Sequence, residues 1–321
     1  MPVPIPTPRA ALLRAGVPGA QLDVQLRNGR VVAPFRGVVV DVAHAVGLAA
    51  RIRAALATQS ASSAVALQSA AVLLGLRWLP PSWASSEATV HLIVAPGDAH
   101  RHRRGLRLHR RTLHPLDTVV VHGMLCTSVV RTLVDLARDP GIHERLLVQL
   151  IDGALYDKRV TSAELHACLD RLPGERYVAR ARRIVARARE HVASPQETTV
   201  RLILEDGGIG VEVNLEICDT DGLLLAAGDF GIRRHLLWGE YDGFDPHSEQ
   251  RAFRGDRVGD RWLTRRGWQP MRFVDVDLHN PGRLCAEWRQ AIADAPARIA
   301  AMDPRRSPEV AEAQRLLGLL S

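Results

Sequence analysis

A chain of 321 residues with 46% hydrophobic and 24% charged residues can bury two or three cores, and its composition is that of an ordinary globular protein. The net charge is +7 and almost wholly guanidinium, Lys158 being the only lysine; arginine suits two-pronged phosphate contacts, although a codon bias toward arginine and alanine gives the same excess. Cys126, Cys168, Cys218 and Cys285 are scattered without CxxC spacing, so neither a zinc site nor a disulfide framework is suggested, and no apolar run approaches the ~20 residues a membrane helix needs. With no signal-peptide layout in Met1–Arg9, the expected location is the cytoplasm, away from membranes.

Short apolar helical patterns at Ala10–Leu13 and Ala20–Leu26 flank the turn signal Gly16-Val17-Pro18-Gly19. β-branched runs at Val31–Val32 and Val38–Val40 then bracket Ala33–Gly37, a hairpin signal. Helix, turn, helix, hairpin is the order of a winged helix-turn-helix, whose second helix enters the DNA major groove. Gln21, Gln25, Arg27, Asn28, Arg30 and Arg36 would then face DNA; the alternative is a small cap that binds nothing.

Ala49–Leu76 is expected to be helical with a break at Thr58–Ser63, Thr89–Ala95 and Leu106–His109 to be strands, and Asp117–Val121 another strand. Arg101, Arg103, Arg104, Arg107, Arg110 and Arg111 crowd what reads as one hairpin, either a phosphate-neutralising surface or a solvated charged turn. Thr127 or Ser128 caps a helix through Ala137, Thr161–Glu164 is a capping box, and Arg176–His191 reads as a basic helix, either touching a nucleic-acid backbone or serving as a connector.

In Ser194-Pro195-Gln196-Glu197 the serine caps a helix, which explains Glu197 structurally; the other reading puts Glu197 at a catalytic centre. Strands follow at Val211–Ile217, Leu223–Phe230 and Leu236–Tyr241, then a helix at Glu249–Arg266 and an apolar strand at Gln269–Val276. Asp229, Glu240 and Asp242 fall near strand ends, and oxygen-only ligands of this kind suit Mg²⁺ or Mn²⁺ and phosphodiester hydrolysis. Asp229 also reads as a plain turn residue beside Gly228 and Gly231. Pro304–Pro308 reads as a linker and Glu309–Leu320 as an amphipathic helix.

These motifs carry a resemblance. Ser194–Glu197, Gly228-Asp229, Gly239-Glu240-Tyr241-Asp242-Gly243, Arg257 with Asp260, Gly267-Trp268 and Asp277-Leu278 make residues 191–285 resemble the restriction-endonuclease-like PD-(D/E)xK superfamily, in its very-short-patch-repair-like DUF559 branch. Arg36-Gly37-Val38, His109-Arg110-Arg111 and Thr127–Arg138 make the preceding part similar to AbiEi-like type IV antitoxins, with a winged helix over residues 1–50 and an antitoxin-like region over 51–190; residues 286–321 form a helical tail. The implied fold class is α/β (α+β), with a winged helix, a mixed α/β middle domain and a C-terminal αβββαβ domain. The resemblance implies Asp229 and Glu240 as Mg²⁺ ligands, with Asp242 and Glu197 beside them; Asp242 stands where the superfamily carries a lysine, and no lysine follows Lys158. His247 and Arg257 are the residues left to assist water or phosphate. It also implies DNA as a partner, with a cognate toxin or a second copy of the chain as protein partners, and leaves open a Mg²⁺-dependent endonuclease or a non-catalytic DNA-binding regulator.

Overall fold

The computed structural model describes residues 2–97, 103–219, 221–242 and 259–319 and divides into two units, Met1–Ala188 and Arg189–Ser321. The architecture is mixed α/β. Among the described residues no helix is long and apolar enough to cross a membrane.

The first unit opens with β1 (Thr7–Pro8), α1 (Arg9–Arg14) and α2 (Gly19–Arg27), followed by β2 (Val31–Phe35) and β3 (Val38–Asp41) in a sheet ordered β1-β3-β2. Leu12 of α1, Leu22 of α2, Val31 and Val39 share one small core with Val3. Pro18 starts α2 in an extended conformation, so the two short helices are separate elements. Phe35 pairs with Val38 across Arg36-Gly37, where Gly37 has φ +84°, open to glycine without Cβ strain.

Next come α3 (Gly47–Leu56), β4 (Ala64–Val65), α4 (Leu67–Leu73), β5 (Val90–Val94), β6 (Leu106–Arg110), β7 (Thr118–Val121) and β8 (Met124–Thr127). Their five strands are ordered β6-β5-β4-β8-β7. β5 and β6 pair in parallel, Val90 opposite Leu106 through Val94 opposite Arg110. The arginine-rich segment between them is therefore a crossover and not the hairpin expected from sequence; its residues 98–102, Arg101 among them, lie outside the described residues. β7 and β8 form a hairpin closed by His122 and Gly123, both at positive φ (48° and 75°), as a type I′ turn requires.

The unit ends with α5 (Val129–Ala137), capped by Ser128 through the Arg131 N–H at 3.2 Å, then α6 (Glu144–Tyr156), α7 (Ser162–Asp170) and α8 (Val178–Ala186). α8 is shorter than the Arg176–His191 helix expected. Its arginines are internal staples: Arg180 donates to the carbonyls of Ala137, Asp139 and Ile142 at 2.6–2.9 Å, Arg182 pairs with Asp170 at 3.0 Å, and Arg183 pairs with Glu144 at 2.5 Å.

The second unit runs α9 (Pro195–Asp206), β9 (Glu212–Cys218), β10 (Leu224–Ile232), β11 (Leu237–Tyr241), a helix α10 described over 259–265, β12 (Gln269–Phe273), α11 (Asp275–Leu278), α12 (Pro281–Ala300) and α13 (Pro308–Leu316). The sheet order is β12-β11-β10-β9, with β12 parallel to β11 and the other pairs antiparallel. One core gathers Val200, Leu204, Phe230, Phe273, Leu284 and Trp288; a second gathers Leu215, Trp238, Trp268, Leu263, Ile299 and Val310. α12 serves both, through Trp288 in the first and Ala295 and Ile299 in the second. Strand β12 stops at Phe273, and residues of the apolar strand expected to reach Val276 instead begin α11.

Candidate functional site

Three clusters of charged side chains stand out, two in the first unit and one in the second. In the first unit a notch of about 540 Å³ is lined by Phe35, Arg36, Arg51, Arg103 and Arg104. Arg51 projects from α3, its guanidinium 5.4 Å from the Phe35 ring centroid, and donates to the Ser86 carbonyl at 3.3 Å. Gly105, at φ +75°, clears its path, because a Cβ there would lie 2.2 Å from Arg51 Nη2. Arg103 donates to the backbone carbonyl of Arg36 and so ties the crossover to the tip of the β2–β3 hairpin. Arg36 and Arg104 stay exposed. The guanidinium groups of Arg51 and Arg103 are thus held on separate elements before any anion arrives, which lowers the ordering cost of binding one.

On α2, Gln21 and Arg27 are exposed and Gln25 is half-buried; Arg30 is exposed in the turn that follows. Arg27 Nε leans back to the Asp23 carbonyl at 3.4 Å, and Asp23 is held by Arg9 at 2.6 Å. Arg36, Arg103 and Arg104 are therefore gathered at one notch, while Gln21, Gln25, Arg27 and Arg30 belong to α2 and its C-terminal turn. Arg257 lies outside the described residues.

Elsewhere in the first unit the motif Thr127–Arg138 forms a buried ionic lattice. Arg131, 1% exposed, bonds Asp117 at 2.7 Å and Asp135 at 2.9 Å. Asp135 also takes Arg138 at 3.1 Å and Arg111, and Asp117 takes Arg171 at 2.7 Å. Burial works against the Arg131 charge, but Asp135 and Asp117 more than offset it and raise its pKa. Nearby, His91 Nδ1 and His109 Nε2 stand 3.1 Å apart with stacked rings. Burial, helped by neighbouring arginines, depresses them to about 4 and about 3, so the pair is neutral at pH 7 and one ring N–H donates to the other.

In the second unit Glu197 and Asp242 act electrostatically on Asp229, and Asp229 and Asp242 act on Glu240. Asp229 accepts the Tyr241 N–H at 2.7 Å, and its pKa is raised to about 6, by burial first and then by Glu197 and Asp242, against the pull of that hydrogen bond and of Arg272. Glu240 accepts the Trp238 indole N–H at 2.9 Å; burial, with Asp229 and Asp242, pushes its pKa up. Glu197 accepts the Ala193 N–H at 2.9 Å while its own N–H donates to Ser194 Oγ at 3.1 Å, the helix-capping role the sequence allowed.

Arg272 is the residue that sequence reasoning missed. The parallel register of β11 and β12 sets it opposite Glu240, and its guanidinium reaches Glu240 at 2.8 Å, Asp242 at 3.0 Å and Asp260 at 2.8 Å. Its one visible signal was a charged residue inside an otherwise apolar strand. The donor set therefore does not fit a divalent ion as arranged, because a guanidinium already sits against Glu240 and Asp242. Among the described residues no group of three or more histidine, cysteine or carboxylate side chains has metal-holding geometry. His247 lies outside the described residues.

The family match lies within the first unit, whereas the relatives align across parts of both units. Residues 63–186 match the family described as AbiEi antitoxin C-terminal domain, a span from β4 through α8 that includes the ionic lattice. Two relatives from Mycobacterium tuberculosis, Uncharacterized protein Rv2248 of strain H37Rv and Uncharacterized protein MT2308 of strain CDC 1551, are each 28% identical over 271 residues, covering 83% of this chain and 94% of theirs. No solved structure matches.

Proposed function

We propose that this chain is a cytoplasmic DNA-binding protein of antitoxin type, which grips duplex DNA with its first unit and does not cut it. The observation that carries this reading is the arginine notch, where the hairpin tip, α3 and the β5–β6 crossover present Arg36, Arg51, Arg103 and Arg104 together. The order α1, turn, α2, hairpin supports it as that of a winged reader, and the antitoxin-like match over residues 63–186 supports the class. A cognate toxin and a second copy of the chain belong to the reading as protein partners. The test is fluorescence anisotropy with duplex DNA across a salt series. Affinity should fall with salt, with a log–log slope of about −0.9 per phosphate contact, and Arg36→Ala and Arg104→Ala should each reduce that slope by about one contact. Salt-insensitive binding, or binding unchanged in the double variant, would remove the notch from DNA recognition.

A second reading, a Mg²⁺- or Mn²⁺-dependent endonuclease, is favoured by the convergence of Glu197, Glu240 and Asp242 on Asp229. For it to hold, Arg272 must withdraw from Glu240 and Asp242. Nicking of plasmid DNA with either ion, lost in Asp229→Asn and Glu240→Gln, would establish it. Absence of metal-dependent nicking, or nicking that persists in both variants, leaves the non-catalytic reading in place.

A further inference from the structure

In the second unit a cleft of about 680 Å³ lies between the turn following α9, the 233–235 turn between β10 and β11, and α12. That volume falls in the range of small-molecule sites, roughly 300–1,000 Å³. Its walls are apolar, from Ile209, Ile232, Ile292 and Leu316. Its charge is not balanced. Arg233, Arg234 and Arg289 line it against the single carboxylate Glu212, which is engaged with Arg233 at 3.4 Å. Arg289 is positioned by donating to the Gly207 carbonyl at 2.7 Å, while exposed Arg234 makes no ion pair with a described residue.

A second observation comes from His235, which also lines the cleft. It is 5% exposed, and its Nδ1, itself shut off from solvent, has no hydrogen-bond partner among the described residues, an arrangement that costs stability. Arg298 donates to the His235 carbonyl at 2.7 Å, adding a further cation close to the ring. Burial, with Arg234 and Arg298, lowers the His235 pKa, so the ring is neutral and able to donate one N–H. The turn leaves room: a Cβ on Gly210 would meet nothing within 4 Å.

We infer that this cleft is a binding site for a small organic anion with an apolar body, the anionic end held by Arg234 and Arg289 and the body seated on Ile209, Ile232 and Ile292. The site is separate from the carboxylate cluster and independent of the DNA-binding reading. Charge complementarity sets the ligand class, since an uncharged ligand would leave the guanidinium groups unused and an inorganic anion would leave the apolar wall wet.

The test is calorimetric titration of the full chain with naphthalene-1-carboxylate, with 1-naphthylmethanol as the neutral counterpart and inorganic phosphate as the anion without a body. Saturable binding of the carboxylate is expected, with the alcohol and phosphate each at least ten-fold weaker. Arg234→Ala should weaken the carboxylate at least ten-fold, and Gly210→Leu should abolish binding by filling the cleft. Should Gly210→Leu fold poorly by circular dichroism, Ala293→Trp, on an exposed position lining the same cleft, gives the same readout. No saturable binding, equal binding of the alcohol, or affinity unchanged in Arg234→Ala and the filling variant would each overturn the assignment.

Discussion

Arg131 shows how much of this chain's positive charge is spent indoors. Its two carboxylate partners, Asp117 and Asp135, are also buried; Asp117 holds one further arginine and Asp135 two. Removing the central cation leaves two buried carboxylates undercompensated. Arg131→Ala should therefore cost on the order of 3–5 kcal/mol, read as a lower urea midpoint by circular dichroism. A loss below about 1 kcal/mol would show that the lattice relaxes around the gap. The motif Thr127–Arg138 was visible in the sequence, but its reason was not, because its partners Asp117, Arg111 and Arg171 lie outside it. Arg272 was hidden in the same way: one arginine in an apolar strand gives no hint that register will place it against Glu240.

At the scale of single elements, strands and capped helices were legible because period-two apolar runs and Ser128, Thr161 and Ser194 carry local signals. Strand direction was not. Two runs separated by a basic segment read as a hairpin, yet β5 and β6 are parallel, since pairing direction depends on the path of the connection. The β7–β8 turn escaped notice because His122 occupies a position where asparagine is the usual signal. Gly231 in β10 tests how tightly the second sheet is packed. A Cβ there would lie 2.4 Å from Leu215 Cδ2 and 2.5 Å from the Leu237 carbonyl, and the backbone atom cannot swing aside. Gly231→Ala should destabilise the second unit by about 1–3 kcal/mol, checked by thermal melting. An unchanged melting temperature would mean β10 and β11 separate more easily than their register suggests.

Taken over the whole chain, the titrating groups pull the two units in opposite directions. His91 and His109 titrate near 4 and 3 when folded, against an ordinary 6.5, so the unfolded chain binds protons first. Their contribution to stability is complete above pH 6.5 and is lost as pH falls toward 4. Asp229 behaves in reverse. Raised to about 6 from 3.8, it is held more tightly protonated in the folded state, so its contribution is present below pH 3.8 and lost as pH rises through 6. Acidification from pH 6.5 to 4 should thus weaken the first unit while relieving the second. Scanning calorimetry on wild type, His109→Gln and Asp229→Asn checks this: the first substitution should flatten the acid loss, and the second should raise stability above pH 6. If both variants track wild type at every pH, other groups govern the response.

Helix α12 settles where the second unit can be divided. Residues beyond Cys285 looked like an appended tail, yet Trp288, Ala291, Ala295 and Ile299 from that stretch fill both of the unit's interiors. A recombinant fragment ending at Cys285 would leave Phe230, Phe273 and Trp238 open to solvent and should be recovered as aggregate, whereas one beginning at Arg189 and continuing through α13 keeps every aromatic anchor covered.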